Sequence, residues 1–248
     1  MKKLVAANWK MNGEGSWSTK PAALASLLGD NMPENVQVLF CPPAVYLDRI
    51  ATEAGKFGMN AGAQNCHASA SGAFTGEISA QMAADCGADY VICGHSERRA
   101  LFGETDAVVR AKADAVIAAG LSAIICVGET LAYRESGEAE ATVEMQLKGS
   151  IPTTSTALNT VIAYEPVWAI GTGKTATLDD IEQMHGHIRK VYGQLLGDKS
   201  AGKLRIQYGG SVKPANAKEI LSAKGVDGAL VGGASLKMED FAKIILAG

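Results

Sequence analysis

The stretch Leu121-Ser122-Ala123-Ile124-Ile125-Cys126-Val127 is an almost unbroken apolar run that ends directly before Gly128 and Glu129. A continuous apolar strand is typical of a parallel sheet that is buried on both faces. Similar runs recur along the 248-residue chain and predict further strands at Leu4–Trp9, Val36–Phe40, Met59–Ala63, Tyr90–Cys93, Thr160–Tyr164, Leu204–Tyr208 and Gly228–Val231.

Helical patterns separate these apolar runs. Thr177 and Asp180 have the spacing of a capping box. Gly197 ends that helix, whose apolar stripe comprises Ile181, Met184, Ile188, Tyr192 and Leu195. Thr105 is predicted to cap a second helix that stops at Gly120, with a stripe of Val109, Ala113, Val116 and Ile117.

A third predicted helix has Pro214 in its first turn, Ile220 and Leu221 facing inward, and Gly225 after its end. Strands that alternate with helices imply right-handed βαβ units. About eight such units, without a linker or low-complexity tract, predict one α/β domain over residues 1–248. A (β/α)₈ TIM barrel suits this length best, and an open doubly wound sheet is the alternative.

Composition limits the possible partners and the compartment. The formal net charge is −3, and the Lys and Arg residues are scattered, which argues against nucleic acid or a membrane surface as partner. The apolar run at the start is too short for a signal peptide, and no stretch is long enough to span a membrane. The odd number of cysteines favours a reducing compartment, so we expect a cytoplasmic protein; they are Cys41, Cys66, Cys86, Cys93 and Cys126.

In either architecture, catalytic and ligand-binding residues lie at the carboxyl ends of the strands. There the sequence has Lys10 after the first run, His95 after the fourth and Glu165 after the sixth. Each residue alone is more often a surface or structural residue than a functional one. A helix beginning at His95 would disfavour the imidazolium form and leave a neutral hydrogen-bond donor.

Glycine-rich segments complete this predicted site. The stretch Pro166–Ala176 has the small residues of a hinged lid. The pairs Gly209-Gly210 and Gly232-Gly233 follow the last two strands, where backbone N–H groups can approach a phosphate. A carboxylate, a neutral donor, a Lys, a phosphate cradle and a lid suit proton abstraction beside a carbonyl. No motif predicts a cofactor or a metal.

At these same positions the chain closely resembles the triosephosphate isomerase family over nearly its whole length. The resemblance is carried by Asn8–Gly13, Gly94–Arg99, Ala163–Gly173, Tyr208–Val212 and Gly232–Ser235. It implies interconversion of dihydroxyacetone phosphate and D-glyceraldehyde 3-phosphate through an enediol(ate), in glycolysis and gluconeogenesis.

The resemblance also implies roles for single residues. Glu165 would be the base, His95 would polarise the carbonyl, and Lys10 with Asn8 beside it would offset negative charge. This family is itself the standard example of such a Glu–His pairing. The substrate phosphate would meet backbone N–H groups of Gly171, Ser211, Gly232 and Gly233.

Further residues would support the site and its lid. By resemblance, Glu97 is the partner of Lys10, and Cys126 packs near the base. Tyr208 and Ser211 would hold the closed lid near Gly173 and Ala176. Trp168 would exchange partners near Tyr164 and Glu129.

The segment Gln64–Ser79 is a long loop, and loops of this length are usually functional or disordered. By resemblance it would insert into a second subunit, with Thr75 near the partner's active-site segment and Met11 packed under the loop. This implies a homodimer.

Other functions remain open at the level of sequence. Another phosphate-binding barrel enzyme, such as a Schiff-base aldolase, would need a Lys on an inner strand. A non-catalytic barrel would not need Lys10, His95 and Glu165 together. A purely structural protein would have no use for a glycine-rich lid.

Overall fold

The computed structural model describes residues 1–170 and 175–248, and in these residues eight parallel strands close into a barrel in chain order. The first strand pairs with both the second and the eighth, which closes the sheet. The predicted (β/α)₈ barrel is therefore confirmed, and the open sheet is wrong. The strands are β1 (Lys3–Asn8), β2 (Val36–Cys41), β3 (Asn60–Ala63), β4 (Tyr90–Cys93), β5 (Ser122–Val127), β6 (Thr160–Tyr164), β7 (Arg205–Tyr208) and β8 (Gly228–Val231).

Helices lie between the strands and pack on the outside of the barrel. They are α1 (Lys20–Leu28), α2 (Leu47–Gly55), α3 (Ala80–Asp85), α4 (Ser96–Phe102), α5 (Asp106–Ala118), α6 (Leu131–Glu135), α7 (Ala139–Ser150), α8 (Leu178–Leu196), α9 (Asp198–Ala201), α10 (Ala217–Ser222) and α11 (Met238–Leu246). Short 3₁₀ segments occur at Gly15–Thr19, Gly29–Asn31, Ala44–Tyr46, Val167–Ala169 and Gly233–Leu236. Of the helices described here, none has the length and apolar character needed to cross a membrane.

Both faces of the strands are buried, which explains their continuous apolar character. Along β1, Leu4 and Ala6 belong to a cluster inside the barrel, whereas Val5 and Ala7 belong to the layer shared with the helices. Alternate residues thus enter two separate cores. The inner core comprises Leu4, Ala6, Leu39, Cys41, Tyr90, Ile92, Ile124, Cys126, Val161, Ala163 and Leu230.

Two helix details differ from the prediction. Pro214 lies in a turn before α10, because the Asn216 side chain accepts the Lys213 N–H and the helix begins only at residue 217. Leu195 is 39% exposed instead of buried. The last turn of α8 packs instead through Gly193, which lies against α9.

Candidate active site

One cavity of about 480 Å³ lies at the carboxyl ends of the strands. Four predicted catalytic residues line it from three strand ends: Asn8, Lys10, His95 and Glu165. The predicted phosphate-binding residues Ser211, Gly232 and Gly233 line the same cavity, and Gly171 lies outside the described residues. The fold therefore gathers groups that are far apart in sequence around a single space.

Glu165 and His95 contact each other inside this cavity. The imidazole Nε2 lies 2.8 Å from Oε1 of the carboxylate, and the Ser96 N–H donates to Oε2 at 2.9 Å. Glu165 is 1% exposed and His95 is 6% exposed, so water does not weaken the contact. Each carboxylate oxygen thus has one of these two contacts and keeps a further lone pair.

The protonation of this pair follows from its hydrogen bonds. His95 is the N-cap residue of α4, and the Glu97 N–H donates to Nδ1 at 3.2 Å. A ring nitrogen that accepts a hydrogen bond carries no proton, so the imidazole proton lies on Nε2 and is donated to Glu165. The imidazole in this arrangement is neutral.

The two pKa values shift in opposite directions. Burial lowers the pKa of His95, but the Glu165 carboxylate outweighs it and the net pKa is raised. The bond into Nδ1 opposes that rise, because protonation of Nδ1 would break it. Burial raises the pKa of Glu165, but His95 and the Ser96 N–H outweigh it and the net pKa is lowered. The carboxyl group is therefore ionised and can act as a base.

Lys10 has a strained backbone that two amide side chains hold in place. Its φ is +52°, the only positive value at a non-glycine residue among those described. Asn8 Oδ1 accepts the Lys10 N–H at 3.0 Å, and Gln64 Nε2 donates to the Lys10 carbonyl at 2.9 Å. A strained backbone of this kind persists only where surrounding contacts hold it in place, and it is found most often at functional sites. The ammonium group lies 2.5 Å from Glu97 Oε1, the partner that the resemblance implied.

Two glycines make room for the base. A Cβ at Gly128 would lie 1.7 Å from the Glu165 carbonyl oxygen, and a Cβ at Gly209 would lie 2.8 Å from Glu165 Cγ. From the sequence alone, Gly209 is predicted only to let a phosphate approach. In the fold, a glycine is required at this position because the side chain of Glu165 occupies the space that a Cβ would need.

Comparisons with known proteins identify the family of this chain. The family model described as triosephosphate isomerase matches residues 3–248. The chain belongs to the triosephosphate isomerase family. It is 55% identical to a triosephosphate isomerase of Ruegeria sp. (strain TM1040), covering 99% of this chain and 98% of that protein. It is 50% identical to one from Rhodopirellula baltica, covering 98% of this chain and 96% of that protein.

A solved structure gives the same result for the fold. The crystal structure of triosephosphate isomerase from Bartonella henselae superposes with a TM-score of 0.91 at 44% identity, covering 100% of this chain and 99% of that one. As a member of the triosephosphate isomerase family, the chain is an isomerase that interconverts dihydroxyacetone phosphate and D-glyceraldehyde 3-phosphate in glycolysis. Among residues 1–170 and 175–248, no cluster of His, Cys, Asp or Glu is arranged to hold a metal ion.

Beside the site, a buried carboxylate connects two strands to the segment after Glu165. Glu129 Oε1 accepts from the Tyr164 hydroxyl at 3.1 Å and from the Trp168 indole N–H at 2.8 Å. Burial raises the pKa of Glu129 despite these bonds. These are the neighbours that resemblance to the triosephosphate isomerase family implied for Trp168.

Two further predicted residues lie close to the base and the lid. The Cys126 thiol lies beside the Glu165 carboxylate, and burial raises the pKa of the thiol well above its usual value. A thiol in this state is a poor nucleophile, which fits a packing role. The Ala176 N–H donates to the Tyr208 hydroxyl, whereas Gly173 lies outside the described residues.

The predicted interface residues Met11 and Thr75 are both exposed. A second cavity of about 690 Å³ is lined by Met11, Leu101 and Phe102, and it shares Lys10 and His95 with the catalytic cavity. The loop that carries Thr75 is closed at its base, where the N–H of residue 67 donates to the carbonyl of residue 78 at 2.7 Å.

Proposed function

We propose that Glu165 and His95 carry the proton transfers of the isomerisation. Glu165 removes the proton from the carbon beside the substrate carbonyl, and the Nε2–H of His95 donates to the carbonyl oxygen as negative charge develops there. Glu165 then returns the proton to the neighbouring carbon, and His95 helps to move the hydroxyl proton from one oxygen to the other, so that the enediol(ate) becomes the isomeric carbonyl compound. The single observation that supports this assignment is the 2.8 Å contact between the Glu165 carboxylate and Nε2 of the His95 imidazole.

The other lining residues would bind and hold the substrate. Lys10 offsets negative charge on the phosphate and the enediolate, with Asn8 fixing its backbone. Ser211, Gly232 and Gly233 present backbone N–H groups to the phosphate, together with Gly171. Gly233 suits close approach of a ligand, because a Cβ at this position would meet no atom within 4 Å.

The support for a lid lies at both of its ends. Trp168 is held by Glu129 at one end and Ala176 by Tyr208 at the other. Closure over the substrate would exclude water and protect the intermediate. We propose that Gly173 and Ser211 contribute to the closed state, as in the family.

The test is an assay of glyceraldehyde 3-phosphate conversion without added metal or nucleotide. Glu165→Gln keeps an oxygen for the Ser96 N–H but removes the base, so we expect activity to fall by at least ~10²–10⁴-fold. Glu144→Gln, at a half-buried carboxylate on the outer helix α7, is the matched control and should keep full activity. His95→Ala should reduce kcat more than it changes KM, because the bond strengthens as charge develops. Near-normal activity of Glu165→Gln would contradict the assignment.

We also propose a homodimer in which the loop around Thr75 enters the partner's second cavity. Support comes from the exposure of Met11 (96%), Leu101 (76%) and Phe102 (68%) beside that cavity. Apolar residues exposed together in one region are typical of protein interfaces. Sedimentation equilibrium should show a dimer, and Phe102→Asp should shift the chain to a less active monomer. A fully active monomer at micromolar concentration would exclude this assembly.

For location, we propose the cytoplasm. All five cysteines, which lie in the described ranges, are free thiols. Free thiols persist in reducing compartments. Recovery of the protein with the periplasmic or secreted fraction of its cells would contradict this location.

A further inference from the structure

The ladder between β4 and β5 ends at the pair Cys93 and Ile125, and a side chain extends it. Beyond this pair, the Arg99 guanidinium donates hydrogen bonds to one further carbonyl at each strand end, those of Gly94 and Cys126. The distances are 2.9 Å from Nε to Gly94 and 3.1 Å from Nη2 to Cys126. Adjacent parallel strands are normally joined by backbone bonds. Here Arg99 occupies the place of the next rung.

Two helices hold the other side of this guanidinium. Nη1 donates to Asp106 Oδ1 at 2.6 Å, and Nη2 donates to Ser150 Oγ at 3.0 Å. Asp106 begins α5, Ser150 ends α7, and their side chains are joined at 3.1 Å. A Cβ at Gly149 would lie 2.5 Å from Asp106 Cβ, so α7 needs glycine for this approach. The planar guanidinium of Arg99 is therefore held by the strand ends on one side and by the two helices on the other.

The two strand ends that Arg99 joins lead to the two partners of the active-site contact. Gly94 directly precedes His95 in the chain. The Glu165 N–H donates to the carbonyl of Val127, the residue directly after Cys126, at 2.7 Å. We propose that Arg99 is a positioning residue that sets the separation between the His95 imidazole and the Glu165 carboxylate. This inference rests on the roles proposed above for those two residues.

The decisive variant is Arg99→Lys, which keeps the charge. A Lys ammonium has no planar fork, so it cannot bridge the two carbonyls with the same geometry. Small misplacements of catalytic groups lower rates steeply, and we expect kcat to fall by ~10- to 10²-fold with little change in KM.

Arg110→Lys is the matched control. Arg110 donates to the carbonyls of Gly149 and Lys148 at the same end of α7 and, within residues 1–170 and 175–248, makes no hydrogen bond to a strand end. Its replacement should disturb packing to a similar degree and leave kcat unchanged. An equal fall of kcat in both variants would overturn the proposal, because it would show a general structural effect.

A second measurement does not depend on turnover. Nitrogen-15 NMR of His95 should show the Nε2–H tautomer donating to Glu165 in the parent protein, and a weakened bond in Arg99→Lys. If Arg99→Lys does not fold, Ser150→Ala removes one bond of the guanidinium and should give smaller changes in the same direction. Parent-like kcat and His95 signals in the folded variant would overturn the proposal. An inactive parent protein would instead overturn the proposed function.

Discussion

At the residue scale, one close steric constraint beside the proposed lid lies between Gly210 and Tyr208. A Cβ at Gly210 would lie 2.2 Å from the Tyr208 hydroxyl oxygen, the atom that accepts the Ala176 N–H. Gly210→Ala should displace the ring, lower the free energy of unfolding by ~1–3 kcal/mol and reduce kcat. Urea denaturation and steady-state kinetics would measure both effects.

Tyr208→Phe is the matched comparison, because it removes the hydroxyl without crowding the turn. Its loss of stability should be about 1 kcal/mol, the value typical of one hydrogen bond. Its kcat should still fall, since the contact with Ala176 is lost. A parent-like kcat in Tyr208→Phe would show that the hydroxyl has no part in the lid.

Individual residues also show where sequence reasoning stops. Lys10, His95 and Glu165 could be singled out because each carries reactive chemistry directly after an apolar run. Gln64 and Arg99 could not, because their importance lies in backbone carbonyls that only the fold brings near. The Arg99 side chain contacts the carbonyl of Cys126, 27 positions along the chain, and no local pattern indicates this.

At the scale of elements, strands were predicted more accurately than helix ends. β4, β6 and β8 have the predicted bounds, since burial on both faces gives an apolar run of the same length as the strand. β3, β5 and β7 each begin one residue later than predicted, because an apolar residue before each strand is buried without joining it. Helix ends depend on side-chain caps and on neighbouring helices, as Pro214 and Leu195 illustrate.

The capping box of α8 gives a prediction at this scale. Thr177 Oγ1 accepts the Asp180 N–H at 3.1 Å, and Asp180 Oδ2 accepts the Thr177 N–H at 3.1 Å. Thr177→Ala removes the first of these bonds and should lower the free energy of unfolding by ~0.5–2 kcal/mol.

Gly186→Ala, in the exposed middle of the same helix with no atom near the new Cβ, should instead raise the free energy of unfolding by ~0.5–1 kcal/mol. Denaturant titrations of Thr177→Ala and Gly186→Ala would measure these opposite changes in the free energy of unfolding. An increase in Thr177→Ala would contradict the capping role of Thr177.

At the scale of the whole molecule, closure of the barrel joins the two ends of the chain. β1 pairs with β8, so residues 3–8 complete a sheet whose last strand ends at residue 231. The Lys3 ammonium also donates to the carbonyl of Leu221 at 2.5 Å. We infer that residues 1–248 form one domain, in which a buried group affects the free energy of unfolding of the entire chain.

His185 is such a group, and it should make the protein sensitive to acid. It is fully buried in α8, its Nδ1 lies 3.0 Å from the Gly225 carbonyl, and burial lowers its pKa from 6.5 to about 4. His185 is therefore protonated near pH 6.5 in the unfolded chain but only near pH 4 in the folded chain. Stability is retained above pH 6.5 and is lost as pH falls towards 4. At 1.36 kcal/mol per pH unit, this loss approaches about 3 kcal/mol.

The comparison of His185→Asn with the parent protein isolates this contribution, because Asn cannot take up the proton but can still donate to Gly225. The variant should be less stable at pH 7.5, since its smaller side chain leaves a cavity. Its stability should then decline less steeply than that of the parent between pH 6.5 and 4.5. Urea titrations at one protein concentration would show the difference, with His187→Asn on the same helix as control. Parallel pH profiles for His185→Asn and the parent would mean that the folded protein accommodates the charged ring, contrary to its burial.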